Sequence, residues 1–243
     1  MIPFFRKIRK KMADDNKPIK YARYAIGEIV LVVIGILIAL QINTWNADQK
    51  ARKLEFLTLT ELKKNIETDL IAMDLMKNSL NSRIRACEIV IQSLSNDQPY
   101  HDSLNIHFGM AMVYDDMDFH KGIYESIKIS GNQLIDDNSL RFDINNYYDY
   151  SVQDMEDGIR EIRDDFYNYM LTYLREDFKY YRHIDSKAEP RDFEALKQDM
   201  TYILSLGIFM DVNKMNLTIL LNTIQASTEL IEKIDQRLSK IER

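Results

Sequence analysis

Apolar and polar residues interleave along most of this chain, but residues 29–40, IVLVVIGILIAL, form one unbroken apolar run. No charged residue occurs in 29–47, and extending back through Glu28 to Tyr24 gives a bilayer-crossing length. The pattern predicts a transmembrane helix over residues 24–46, with Tyr24 and Trp45 as interfacial aromatics near its two ends. A buried core helix and a cleaved signal peptide share part of this pattern. The long basic segment before the run, and the lack of an A-x-A site after it, speak against the signal peptide.

Beyond the run the apolar residues recur at helical spacing. Residues 48–94 contain neither Pro nor Gly, and Leu59, Ile66, Met73, Leu80, Cys87 and Leu94 fall at intervals of seven. A companion seam is mixed, with Leu62, Met76 and Val90 sharing it with Asp69 and Arg83, while Leu70, Ile84 and Ile91 broaden the apolar face. That breadth suits a bundle helix better than a two-stranded coiled coil. Nothing breaks a helix between Trp45 and Leu54, so the membrane helix is expected to run straight into this one and couple the body rigidly to its anchor.

Residues 95–103 read as a connector around Pro99, with a helix starting near Asp102 or Ser103. Residues 119–129 read as a short helix closed by Ser130, Gly131 and Asn132, with Gly131 as a left-handed C-cap. Residues 136–139 offer N-caps for the next helix, in which Met155, Ile159, Ile162, Phe166, Tyr169 and Tyr173 alternate four and three apart. Residues 182–191 read as a loop. A helix is expected from about Asp192 to Leu206 and Gly207, and a last one from about Asp211. On the last, Leu217, Leu220, Ile224, Ser227, Ile231, Ile234, Leu238 and Ile241 make a seam that only Ser227 interrupts. It is expected to pack antiparallel to the 59–94 helix, returning the C-terminus toward the membrane.

Charge sharpens this picture. Residues 1–27 hold eight Lys or Arg and two Asp, a net +6; the whole chain carries −6, so residues 28–243 carry −12. The split argues for two compartments and against a nucleic-acid partner for the acidic body, which repels phosphate. The Lys/Arg bias is expected to place residues 1–23 in the cytoplasm and residues 47–243 outside it. Within the head, Arg6, Lys7, Arg9, Lys10 and Lys11 alternate with Ile2, Phe4, Phe5, Ile8 and Met12, so one reading is an amphipathic helix on anionic lipid headgroups. The other is a basic tail that only sets topology. With seven Gly, four Pro and one Cys, the expected architecture is all-α, a transmembrane helix continuing into an extracytoplasmic bundle of long antiparallel helices held by packing rather than disulfides.

Inside the span, Gly35 and Ala39 make a small-xxx-small pair with Gly27 two turns earlier, a face on which two membrane helices can meet. Glu28 is an acid at the membrane edge, read either as a functional intramembrane carboxylate or as a first-turn group partnered by Arg23. Residues 24–46, YAIGEIVLVVIGILIALQINTWN, preceded by FFRKIRKK, resemble the opening of a family of uncharacterised single-span membrane proteins of flavobacteria and other Bacteroidota. A second similar stretch is residues 123–137, IYESIKISGNQLIDD. The resemblance implies the architecture of the chain and brings no activity with it.

Candidate chemistry is sparse. The histidines His101, His107, His120 and His183 lack the spacing of a helical metal site, although His107 and His120 flank Asp115, Asp116 and Asp118. A solvated acidic turn explains the same residues. Asp136, Asp137 and Asn138 lack the EF-hand spacing and read as a cap. Met110, Met112 and Met117 read as packing rather than copper ligands. Tyrosines at 147, 148, 150, 167, 169, 173, 180 and 181 suit either a wide core with hydroxyls at its rim or an aromatic partner surface. No nucleophile elbow, phosphate loop or Cys-His dyad occurs, so no enzyme and no cofactor or metal is expected. The expected role is a membrane-anchored structural or protein-interaction module with a protein partner or a second copy of itself. The alternative is a ligand-sensing periplasmic bundle signalling through a separate partner.

Overall fold

The computed structural model describes residues 18–96, 98–130 and 134–241. The basic head residues Arg6, Lys7, Arg9, Lys10 and Lys11, and the Gly131 C-cap, lie outside them. The chain divides into two compact units at Leu54 and Glu55. Helix α1 is Pro18–Ser95. Its portion in the first unit carries the apolar run, whose side chains are exposed on every face, from Val33 at 47% to Leu31 at 71%. By length and composition two helices among the described residues can cross a membrane, one containing this run and one being the last helix.

The second unit is an all-α domain with one small hairpin. It holds the rest of α1, then α2 (Leu104–Ala111), α3 (Gly122–Ser130) and α4 (Asn138–Asn146). A π segment, Tyr147–Val152, leads into α5 (Gln153–Asp165). A second π segment, Phe166–Met170, leads into α6 (Leu171–Glu176). Strands β1 (Phe178–Arg182) and β2 (Lys187–Pro190) pair antiparallel. Helices α7 (Phe193–Gln198) and α8 (Met200–Ile241) complete it.

The heptad seam of α1 is the centre of the core: Leu59, Ile66, Met73, Leu80, Cys87 and Leu94 are all buried. Contacts from α1 to α8 pair rising numbers with falling ones, Lys63 with Asp235 and Arg83 with Asn213, so the two long helices are antiparallel as the seams predict. On α8 the buried face is Tyr202, Leu206, Phe209, Asn213, Asn216, Leu220, Thr223, Ser227, Leu230 and Ile234. The predicted residues Leu217, Ile224 and Ile231 flank that face instead of forming its middle.

Three expectations are corrected. The last helix starts at Met200, not near Asp211, because the break falls at Asp199: its carboxylate accepts the Tyr202 N–H at 3.0 Å, an N-cap that sets the new start. Gly207 sits inside α8 with open space where a Cβ would be, so it costs about 1 kcal/mol of propensity without ending the helix. The 182–191 segment is half of a hairpin rather than a loop, and its turn residue Ser186 has φ 46°. The Ser186 carbonyl approaches Gly109 of α2 so closely that a Cβ there would lie 2.1 Å from it. Finally, the seam through Met155, Ile159, Ile162 and Phe166 continues to Met170 and Leu174, not Tyr169 and Tyr173. The second π segment supplies the extra residue that rotates the buried face by one position.

Helix α4 begins as expected at a cap, with Asp137 accepting the N–H groups of Ser139 and Leu140. Those donors, Leu140 foremost, hold the Asp137 carboxyl below its ordinary 3.8. Because the folded pKa is the lower one, the cap contribution is complete above that ordinary value and is lost as pH falls through the folded value. Asp137→Ala is therefore expected to cost about 1 kcal/mol in urea unfolding at neutral pH, with the difference from wild type vanishing in strong acid. A second expectation concerns packing: a Cβ on Gly158 of α5 would lie 1.8 Å from the side-chain oxygen of buried Asn216. Gly158→Ala is expected to destabilise by about 1–3 kcal/mol in the same measurement.

Candidate functional site: a polar ladder and its strap

The mixed seam of α1 reads, at intervals of seven, Glu55, Leu62, Asp69, Met76, Arg83 and Val90, and all six are buried. Every second position is ionisable. At about 1.5 Å rise per residue the three charges stand roughly 21 Å apart along one face of the helix. A buried charge must be paired, so each of these demands a partner from elsewhere in the chain.

Each partner is present. Glu55 takes a two-pronged contact from Arg237 of α8, with Nε to Oε1 at 2.8 Å and Nη2 to Oε2 at 2.9 Å, and Oε1 also accepts the Asp136 N–H at 3.3 Å. Asp69, 1% exposed, accepts the backbone N–H of His120 at 3.1 Å and contacts its Nδ1 at 2.5 Å. Arg83, 2% exposed, donates from Nη1 to Asn213 of α8 at 2.6 Å and from Nη2 to Asp115. Ser79, one turn earlier, donates to the same Asp115 carboxylate. Burial pushes the Arg83 pKa down and Asp115 opposes that shift.

Two of the three rungs are completed by residues 113–121, which have no regular secondary structure and act as a strap. The strap is fastened on its other side too. Asp116 pairs with Arg163 of α5 at 3.4 Å, Lys121 with Glu156 of α5 at 2.7 Å, and Tyr114 Oη with Tyr167 Oη at 3.0 Å. The Tyr167 contact and desolvation raise the Tyr114 hydroxyl to about 12. Beneath it, Tyr124 stacks on Tyr148 at 4.4 Å, and Tyr148 Oη reaches the His120 carbonyl at 3.5 Å. The arrangement neutralises charge and fixes register; it presents no activated nucleophile. Cys87, near the Arg83 rung, is buried and its thiol is raised to about 12, so it stays protonated at neutral pH.

On another side of the bundle, a groove of about 440 Å3 lies between α4, the first π segment and α8. Its apolar lining is Tyr147, Ala226 and Leu230, and its charged groups are Asp143, Glu229 and Lys233. Tyr147 is fixed by its hydroxyl, which Ser227 contacts at 2.9 Å, so the one polar residue of the predicted α8 seam holds this wall.

Residues 28–158, just over half of the 243, match a family of unknown function, DUF6090. The chain belongs to this family. No curated protein and no solved structure matches it. The segment shared with DUF6090 contains all three rungs of α1, the whole strap and the first π segment, whereas Asn213 and Arg237 on α8 lie beyond it.

The other residues singled out in the sequence fall as follows. Gly27 and Gly35 have open space where a Cβ would sit, and Ala39 lies on the exposed apolar helix. Glu28 is half-buried. The histidines and acids near the strap separate: His120 goes to Asp69, Asp115 to Arg83 and Asp116 to Arg163, and no group of three metal-ligating side chains forms among the described residues. Tyrosines divide between a buried set, with Tyr124, Tyr147, Tyr148 and Tyr202, and an exposed set, with Tyr150, Tyr167 and Tyr169. The mixed seam as it reads in the sequence leaves out Glu55, although Glu55 precedes Asp69 by the same fourteen residues that separate Asp69 from Arg83.

Asp115→Asn leaves the Arg83 guanidinium buried beside a neutral amide. The expected cost in urea unfolding is about 2 kcal/mol, less than for a fully buried pair because Asp115 is itself 41% exposed. Arg83→Met combined with Asp115→Asn is expected to recover part of that loss, which measures the unpaired charge rather than the lost contact.

Proposed function

We propose that the chain is a single-pass bacterial inner-membrane protein whose residues 47–243 act in the periplasm as a structural or protein-interaction module. The charge split between residues 1–27 and the remainder supports the orientation, with the head cytoplasmic and near anionic lipid. The all-round exposure of the 29–40 side chains supports a lipid-facing helix, since such a surface is costly in water. The resemblance of residues 24–46 to single-span proteins of Bacteroidota agrees with both. Gly27, Gly35 and Ala39 offer the span a face for close approach of a second helix.

The observation that carries the interaction reading is on α8. Met200, Leu204, Ile208 and Met215 are 49–69% exposed on the face opposite Tyr202, Leu206 and Phe209. Side chains three to four residues apart share a helix face, so Met200, Leu204 and Ile208 make one apolar stripe pointing away from the core, and Met215 lies on the same face beyond the exposed Asp211. A stripe of that kind marks a surface that another protein covers.

Amine-reactive crosslinking in intact membranes, read by mass spectrometry, is expected to recover either a partner adduct or a dimer of this chain. Leu204→Glu with Ile208→Glu is expected to remove the adduct while the free energy of unfolding stays within about 0.5 kcal/mol of wild type. Recovery of neither adduct, or an adduct indifferent to the two charges, sinks the interaction reading.

A further inference from the structure

The groove between α4, the first π segment and α8 has the make-up of a small-molecule site. Its volume, about 440 Å3, falls in the range of ligand pockets. The floor is apolar, from Leu230, Ala226 and the ring of Tyr147, and the Tyr147–Ser227 contact at 2.9 Å holds that ring in place. The rim carries two carboxylates, Asp143 and Glu229, against one ammonium, Lys233. Lys233 is engaged with Asp143 at 2.8 Å, and among the described residues Glu229 receives only the neutral amide of Gln225, at 2.9 Å. One negative charge is thus left over at the groove. Tyr150, 66% exposed, adds a ring face beside it. Its exposure follows from the π turn: the wider turn buries both Tyr147 and Tyr148 and leaves Tyr150 to face outward.

We propose that this groove binds a primary alkylammonium, its charge between Glu229 and the Tyr150 ring and its apolar stem over Leu230 and Ala226. A carboxylate supplies the charge-assisted hydrogen bond, the aromatic face a cation–π contact, and the floor takes hydrocarbon out of water. An anionic ligand meets the surplus carboxylate, and a neutral alcohol of the same shape lacks the charge that the rim selects. Lys233 is a built-in competitor, because its own ammonium occupies Asp143. The site is independent of the apolar stripe on α8 and stands or falls without it.

The test uses the full chain in detergent, labelled with 3-fluorotyrosine, and follows the Tyr150 fluorine resonance, assigned with Tyr150→Phe, during titration with pentylamine. A saturable shift is expected with pentylamine and none with 1-pentanol. Glu229→Gln is expected to weaken binding roughly tenfold or more, the value of one charged hydrogen bond. Lys233→Met is expected to tighten binding by freeing Asp143, whereas Lys214→Met, which removes a comparable surface cation paired with Glu88 at 3.4 Å, leaves it unchanged. An equal response to pentanol, a shift that does not saturate, or equal effects of the two lysine substitutions overturns the proposal, the last by reducing it to general attraction of cations to an acidic surface.

Discussion

Three charges buried on one face of α1 are the constraint that organises the second unit. Glu55, Asp69 and Arg83 occupy seam positions that an ordinary bundle helix fills with Leu or Val. An uncompensated charge in such a place costs several kcal/mol, so the fold is acceptable only in the arrangement that brings Arg237, His120, Asp115 and Asn213 to them together. An apolar seam tolerates sliding by a heptad, because one Leu packs much like another. A seam with a carboxylate, a carboxylate and a guanidinium in that order does not, since a one-heptad slip carries each charge about 10 Å away from its partner. We read the ladder as a device for register more than for net stability, in the way that single polar core residues fix coiled-coil register.

The same constraint explains the strap. Residues 113–121 carry three aspartates and a histidine between apolar neighbours, a composition that as sequence suits a solvated turn or a metal site equally well. Their partners decide between these. Asp115 and His120 face inward to α1, while Asp116 and Lys121 face α5, so the segment joins two helices by charge where no helix of its own could supply both sets of contacts. Which carboxylate met which cation depended on partners that lie up to 182 residues apart in the chain, as for Glu55 and Arg237. Local pattern carries no information on such pairs.

What was legible follows from period. The seven-residue recurrence through Leu59 and Leu94 located the core face of α1, and the antiparallel pairing with α8 followed from two long seams of similar length. The ladder was half legible: Asp69 and Arg83 were visible as interruptions, and extending the count one step back to Glu55 would have shown that the interruptions are themselves periodic. The π segments were not legible, because they change the period itself. Counting by three and four past Phe166 lands on Tyr169 and Tyr173, while the wider turn brings Met170 and Leu174 inward. The hairpin escaped for the opposite reason: its turn, with Ser186 at positive φ, uses none of the Gly or Asn-Gly signals by which hairpins are recognised. The family match adds no chemistry to any of this, since DUF6090 is defined without a function.

The α8 helix shows how the two kinds of surface differ. From Asn213 to Ser227 its buried face carries Asn213, Asn216, Thr223 and Ser227, small polar groups that each donate to an α8 carbonyl one turn back, and its outer face mixes exposed Met215 and Leu221 with Lys214, Thr218 and Gln225. From Met200 to Met210 the balance reverses: no charged residue occurs, Tyr202, Leu206 and Phe209 point inward, and Met200, Leu204 and Ile208 point outward. The stretch is apolar on its inner and outer faces, with Thr201 and Ser205 between them. Within the second unit only the inner side of that stretch is covered. The hydropathy that makes α8 resemble a membrane span therefore has two sources, a core face already satisfied and an outer face whose apolar surface still faces solvent.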